Sequence, residues 1–281
     1  IVPNGSPFEE GKFDVRLNHA VGRVTETELP LVYVNQVGGQ DELVFDGGSF
    51  VLNGDCSLAL QMPTFESGLV ISEWKLEGDQ WVCALGARVA PHEGLGAIYR
   101  TMTLGLRDYV NKNRFPGVVL GLSGGIDSAL SAAVAVDALG PERVWCIMLP
   151  SKYSSDHSLK DAVDCAELLQ CRLDEVAIEP AVNAYETMLE GLFEGREPDI
   201  TEENIQSRAR GMTLMAISNK FGHMVLTTGN KSEMSVGYAT IYGDMCGGFS
   251  VLKDVYKITA FELSDWRNQQ RPEIALGPEG R

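Results

Sequence analysis

GVVLGLSGGIDSALSAAVAVDALG, residues 117–140, is the stretch that decides how this chain folds. GVVLGL (117–122) is a short apolar run of the kind that forms a buried strand. From Asp127 to Leu139, Leu130, Ala133, Val134 and Val136 recur at helical spacing, and Gly140 is a natural C-terminal stop. Between strand and helix lies GLSGGIDS (121–128), which offers the Ser123 and Ser128 hydroxyls and two adjacent glycines, Gly124 and Gly125. Glycines let another backbone or a ligand come close, and the N-terminus of the following helix presents unpaired N–H groups to the same space. The loop is not a Walker A motif, because the G-x-x-x-x-G-K-[ST] spacing and its lysine are absent, and it is not G-x-G-x-x-G. Asp127 opens the helix: it could cap it, or, beside phosphates, hold Mg²⁺.

Downstream, the alternation continues. Arg143–Leu149 reads as a second strand, Ser158–Gln170 as a helix and Leu173–Ile178 as a third strand. Thr201–Phe221 reads as a longer amphipathic helix, HMVLTTG (223–229) as a strand and Asp254–Asn268 as a helix. Such β-α alternation predicts an α/β, Rossmann-like parallel sheet with helices on both faces. Ligands of such sheets sit at the carboxyl ends of the strands, here after Leu122, Leu149 and Thr228.

Upstream, the texture differs. LVYVNQV (31–37), ELVFDGG (42–48), SFVLNGD (49–55) and SLALQMP (57–63) are short β-type runs separated by turn residues. Asn53-Gly54-Asp55 and Glu77-Gly78-Asp79 are hairpin punctuation, with Leu69–Trp74 and Gln80–Leu85 flanking the second. These patterns predict antiparallel strands of a larger sheet from Leu31 to about Leu85; the texture changes near residue 90, dividing the chain into 1–90 and 91–281.

Among 281 residues, 23 Lys and Arg stand against 39 Asp and Glu, a formal net charge of −16. This argues against unspecific binding to nucleic acid or anionic lipid, while leaving room for anions held in a local cradle of N–H groups or by a metal. No apolar run approaches the ~18–20 residues of a membrane span. Hydrophobic residues make up 44 %, enough for a sizeable core. Cys56, Cys83, Cys146, Cys165, Cys171 and Cys246 include no C-x-x-C pair, which points to a reducing cytoplasm rather than a disulfide framework or zinc site. The start at Ile1 has neither an initiator Met nor a signal peptide, as expected of a chain cut from something longer. The four histidines are scattered and suggest no ligand set.

GLSGGIDS resembles the SGGxDS pyrophosphate-binding loop of the ATP-pyrophosphatase superfamily. ENIQSRARG (203–211) and TTGNKSEMSVGYATIYGDMCGGFSVLKDVYK (227–257) narrow the resemblance to the synthetase domain of glutamine-dependent NAD⁺ synthetases. PNGSPFEEGK (3–12) and VNQVGGQDELVFDGGS (34–49) resemble the last part of that family's nitrilase-like, αββα glutaminase domain. The resemblance implies a cytoplasmic ligase. Deamido-NAD⁺ and ATP would form an adenylated nicotinate carboxylate and pyrophosphate, and ammonia, drawn from glutamine in the full-length enzyme, would displace AMP to give NAD⁺. It also implies a homodimer or larger homo-oligomer, and no covalent protein nucleophile.

By position in the family pattern, Gly121, Leu122, Ser123, Gly124, Gly125, Ile126, Asp127 and Ser128 bind ATP, together with Thr228 and Lys257. Asp127 and Glu233 hold Mg²⁺; Asn204, Arg208 and Glu233 meet deamido-NAD⁺; Ser6 and Lys12 meet glutamine. Outside that pattern the same residues read more blandly: Asn204, Arg208 and Arg210 as a solvated helix face, Lys253 and Lys257 as an exposed i, i+4 stripe, Glu233 with Lys231 as a helix-start pair, Thr228 as a strand end, and Ser6 and Lys12 as a surface turn. None of the six cysteines has the context of the family's Glu–Lys–Cys glutaminase triad, which is expected to lie before Ile1. The family's acidic tail is not recognisable in PEIALGPEGR (272–281). Alternatives are another ATP-pyrophosphatase ligase or amidotransferase and a non-catalytic nucleotide-binding assembly module. A carbon–nitrogen hydrolase is disfavoured by the missing nucleophile.

Overall fold

The computed structural model describes residues 1–152, 154–273 and 275–278, so parts of the 272–281 tail lie outside the described residues. The chain divides into two units, Ile1–Tyr109 and Val110–Arg281.

The first unit contains β1 (Val2–Asn4), α1 (Lys12–Thr27), β2 (Leu31–Asn35), β3 (Val37–Gln40), β4 (Leu43–Asp46), β5 (Phe50–Leu52), β6 (Leu58–Gln61), β7 (Trp74–Glu77), β8 (Gln80–Cys83) and most of α2 (Gly94–Lys112). Its main sheet has the order β1-β2-β5-β6, with β1 parallel to β2 and the other pairs antiparallel. Helix α1 buries Ala20 and Val24 against Tyr33, Phe50 and Leu52. The run at 42–48 does not join this sheet but pairs with β3 as a separate ribbon. The strand before the Gly78 turn begins at Trp74 rather than Leu69, because Leu69 and Ile71 are almost wholly exposed and no strand among the described residues pairs with them.

The second unit contains β9 (Val118–Gly121), α3 (Ile126–Leu139), β10 (Val144–Met148), α4 (Asp156–Leu169), β11 (Arg172–Glu175), α5 (Glu179–Phe193), α6 (Ile200–Phe221), β12 (Met224–Thr227), α7 (Lys231–Val236), β13 (Phe249–Ser250) and α8 (Lys257–Gln269). The strands form one parallel sheet in the order β11-β10-β9-β12-β13. Register sets Val119 opposite Trp145 and Val225, so one face of the sheet gathers Val119, Trp145, Ile147 and Val225. Ile178, Val182 and Ala209 cover that face, together with Ile205, Leu214, Met215 and Ile217 of α6. Burying each large aliphatic chain there contributes roughly 1.5–3 kcal/mol. Helices α3 and α4 pack on the opposite face and α8 packs on α3, giving the α/β architecture that the alternation predicts.

Several boundaries move. β11 ends at Glu175, and Ile178 instead becomes the N-cap of α5, a helix that the alternation does not anticipate; Pro180 in its first turn favours the start. Helix α8 starts at Lys257, so Lys253 and Lys257 do not share a helical stripe. Helix α6 begins with a full capping box, Asp199 with Glu202. No helix among the described residues is long and apolar enough to cross a membrane.

The strand order determines where a ligand can sit. The chain runs outward from β9 through β10 to β11, then crosses back to β12 on the other side of β9. The connections after β9 and β12 therefore diverge, leaving a crevice at their carboxyl ends.

Candidate functional site

A cavity of about 420 Å³ opens at this switch point. Gly121, Leu122 and Ser123 line it from β9, Ile147 to Pro150 from β10, and Leu226, Thr227 and Thr228 from β12. Arg210, Gly211 and Leu214 of α6 form another wall, with Ser154, Ser155 and Ser158 around the start of α4. Apolar side chains such as Leu122, Ile147, Leu214 and Leu226 alternate there with hydroxyls and Arg210, a mixture that suits a heterocycle with a polar extension. The Arg210 guanidinium donates from Nε to the Leu149 carbonyl, 3.3 Å away, and burial holds its pKa below the ordinary arginine range against the opposing pull of Asp244.

The glycine-rich loop closes tightly on itself. Gly125, not Asp127, is the N-cap of α3, so the capping reading of Asp127 fails: its side chain stands in the first turn and points elsewhere. The Ser128 hydroxyl accepts from Ser123 N–H (3.2 Å) and donates to the Gly125 carbonyl (2.8 Å). Ser123 Oγ lies 3.1 Å from Ser128 Oγ and accepts from Gly125 N–H at 3.3 Å. Gly124 has φ +83°, and a Cβ built on it would lie 2.2 Å from the Ser158 carbonyl oxygen, so glycine is required there. Gly125 is different: an added Cβ would meet only Ser123 Oγ, at 3.4 Å.

Beyond the loop, residues far apart in the chain converge. Lys257 Nζ pairs with Asp127 Oδ2, and Asn230 Nδ2 donates to Asp127 Oδ1 at 3.3 Å. Asn230 is also the N-cap of α7: its Oδ1 accepts from Glu233 N–H (3.0 Å), and its own N–H donates to Glu233 Oε2 (2.9 Å). The Asn230 side chain thus bonds the Asp127 carboxylate and the Glu233 backbone N–H, and the Asn230 backbone bonds the Glu233 carboxylate. The first turn of α7 is joined to the start of α8 by Lys231 N–H to the Val255 carbonyl (2.9 Å) and Lys257 N–H to Ser232 Oγ (3.0 Å).

The remaining expected residues lie in other surroundings. Ile126 lines a separate groove with residues of α3, α4 and α8 rather than the cavity. Asn204 and Arg208 sit on α6 and hold the segment after α7: Asn204 Oδ1 accepts from Thr240 Oγ1 (2.9 Å), and Arg208 Nε donates to the Ile241 carbonyl (3.1 Å). In the first unit, Ser6 Oγ accepts from Arg16 Nε (3.0 Å), while Lys12 pairs with Glu9 and lines a cleft of about 240 Å³ that Ser6 does not reach.

Asn230 is the residue that sequence reading missed. Its signal was present in NKSE (230–233), the pattern of a capping box, but nothing local shows that the cap also reaches Asp127, 103 positions earlier. Among the described residues, no group of three or more His, Cys, Asp and Glu forms a closed metal cage. Two hard carboxylates, Asp127 and Glu233, near the glycine-rich loop suit Mg²⁺ that completes its shell with substrate oxygens and water.

A family model described as NAD synthase matches residues 98–277. The glutamine-dependent NAD(+) synthetase of Rhodobacter capsulatus is 54 % identical over 280 residues, covering 100 % of this chain and 51 % of that protein. Among solved structures, a glutamine-dependent NAD+ synthetase from Acinetobacter baumannii in complex with ADP aligns with TM-score 0.90 and 46 % identity, over 98 % of this chain and 53 % of that one. The NH3-dependent NAD synthetase of Campylobacter jejuni aligns with TM-score 0.58 and 30 % identity, over 63 % of this chain and 75 % of that one. The chain therefore spans about half the length of the curated relatives it matches. Matched over residues 98–277, which hold all five strands of the parallel sheet, and carrying the glycine-rich loop where that sheet changes direction, the chain belongs to the NAD synthase family.

Proposed function

We propose that this chain carries the ATP-dependent step that amidates deamido-NAD⁺ to NAD⁺, through an adenylated nicotinate carboxylate, with release of AMP and pyrophosphate. In the full-length protein the ammonia would come from glutamine, residues 1–90 being the end of the glutaminase domain and 91–281 the synthetase. The observation that carries this reading is the convergence of the glycine-rich loop, Asp127, Lys257 and Glu233 at one mouth of the sheet.

A carboxylate resists attack by ammonia until one of its oxygens becomes a leaving group, and transfer of AMP achieves that. The difficulty is the charge that develops on the departing pyrophosphate. The N–H groups of Gly124 and of the first turn of α3 would meet that charge, while Gly125 N–H is used on Ser123 Oγ to shape the loop. Lys257, paired with Asp127 in this structure, adds a cation that can turn to the phosphates. Asp127 and Glu233 would hold Mg²⁺, which supplies further charge neutralisation on the phosphate oxygens. The cavity floored by Gly121, Leu122 and Thr228 would take the adenosine, while Asn204 and Arg208 would present the α6 side to deamido-NAD⁺. Ser6 and Lys12 would serve glutamine. No side chain is needed as a nucleophile; the acceleration would come from positioning and electrostatics.

The six free thiols fit a cytoplasmic setting, and a homodimer or larger homo-oligomer is part of the same reading. The test is mass spectrometry of the product from deamido-NAD⁺, MgATP and ammonium, alongside Asp127→Ala. NAD⁺ and AMP formed in equal amounts, lost in the variant, are expected. Turnover no higher than a buffer blank would reject the activity for this chain.

A further inference from the structure

Asn230 bonds both proposed metal carboxylates, Asp127 through its side-chain amide and Glu233 through its backbone N–H, although neither the motif nor the family pattern assigned it a role. It is 1 % exposed, so its amide has no water to bond with in place of the protein. Its polar atoms are divided between two tasks. The carbonyl oxygen and backbone N–H are spent on Glu233, closing the capping box of α7. The amide nitrogen is spent on Asp127 Oδ1. The orientation of the amide follows from the network, since only its oxygen can accept from Glu233 N–H, which leaves the nitrogen toward Asp127. Lys257 holds the other oxygen of Asp127, and α8 is tied to the same turn of α7. Asp127 is therefore held at both oxygens by one cluster around residues 230–233 and 255–257.

We infer that Asn230 is a positioning residue: it fixes the Asp127 carboxylate relative to Glu233, so that the two acids present a divalent cation with a preset pair of oxygens. This rests on the proposed nucleotide–metal reading of the site and adds a residue to it. The physical reason is that a carboxylate without a partner turns freely, and each ligand oxygen that must be ordered when the cation arrives weakens its binding. When a nucleotide's phosphates draw Lys257 away, the Asn230 amide is the contact that remains to keep Asp127 in place. Supporting groups of this kind typically carry about 10–100-fold in metal affinity.

The cap and the bridge can be separated. Asn230→Ala removes both; Asn230→Ser restores the cap, because serine is as good an N-cap as asparagine, but is too short to reach Asp127. Asn230→Gly, a mild change at an N-cap, serves as the second bridge-less variant. The measurements are the thermal midpoint of the nucleotide-free protein and calorimetric binding of Mn²⁺ to the protein saturated with ADP. Asn230→Ser is expected to recover the midpoint lost in Asn230→Ala and yet bind Mn²⁺ about 10–100-fold more weakly than wild type, as is Asn230→Gly. Wild-type Mn²⁺ affinity in Asn230→Ser and Asn230→Gly would reduce Asn230 to a helix cap and overturn the inference alone. If the wild-type protein shows no ADP-dependent Mn²⁺ binding, the inference and the reading of the site fall together.

Discussion

Lys257 and Asp127, 130 positions apart, form an ion pair at the mouth of the second unit's sheet, with the ammonium on Oδ2 of the acid. The cation stands beside the glycine-rich loop and is half-exposed, and in the proposed function it turns to the phosphates of a nucleotide. Lys257→Met keeps the stem and removes the charge. ADP affinity, read by calorimetry, should fall by about 10–100-fold, the worth of one hydrogen bond to a charged group. An unchanged affinity would remove Lys257 from the nucleotide site.

The two glycines of the loop should behave differently. Gly124→Ala places a methyl 2.2 Å from the Ser158 carbonyl at a positive φ, whereas Gly125→Ala meets an ordinary contact at 3.4 Å. Chemical denaturation is expected to show a loss of at least about 1–3 kcal/mol for Gly124→Ala and little change for Gly125→Ala. Equal losses would mean that the loop does not pack against the start of α4 as described.

Arg267 binds Asp137 through two nitrogens, at 2.6 and 3.0 Å, and the acid is wholly buried in α3. Arg267→Met removes both charge-assisted hydrogen bonds from Arg267 to this buried acid and should cost about 3–5 kcal/mol of unfolding free energy. Neither residue lines the proposed nucleotide cavity, so ADP affinity measured well below the melting transition should stay at the wild-type level. A variant of wild-type stability would show that the pair contributes nothing.

The cysteines of β10, α4 and the start of β11 should separate by pH. The Cys171 thiol is held below its ordinary value by its hydrogen bond with Cys146, 3.7 Å away, while burial pushes Cys165 up to about 11. Alkylation near neutral pH, followed by peptide mass spectrometry, should therefore mark Cys171 before Cys165. The unfolded chain loses the Cys165 proton near its ordinary value of 9.0, and the folded chain keeps it until about 11. Over that interval the folded state binds more protons, so stability contributed by this group falls as pH rises. Labelling of Cys165 first would contradict both statements.

What could be read without coordinates was local. The apolar run 117–122, the paired glycines and the helical spacing of Leu130, Val134 and Val136 act within a few residues, and β9, its loop and α3 form where those features stand. Helix α5 escaped because its apolar residues, Tyr185, Met188 and Leu192, remain largely exposed and only Val182 is buried, so no clean two-sided pattern marks it. Leu69 and Ile71 suggested a strand for the converse reason: they are apolar, but a strand exists only if another one pairs with it.

The sequence alone determined the α/β alternation, the glycine-rich loop and the family pattern, because glycine freedom and side-chain periodicity are properties of neighbouring residues. Only the tertiary structure decided that Asn230 reaches Asp127, that Lys257 pairs with the same acid, and that Ile126 turns away to another groove. Those contacts cross 103 and 130 positions and follow from the order of the parallel strands, which brings the ends of β9 and β12 side by side. Strand order is settled by the packing of the whole sheet against its helices, and no single segment encodes it.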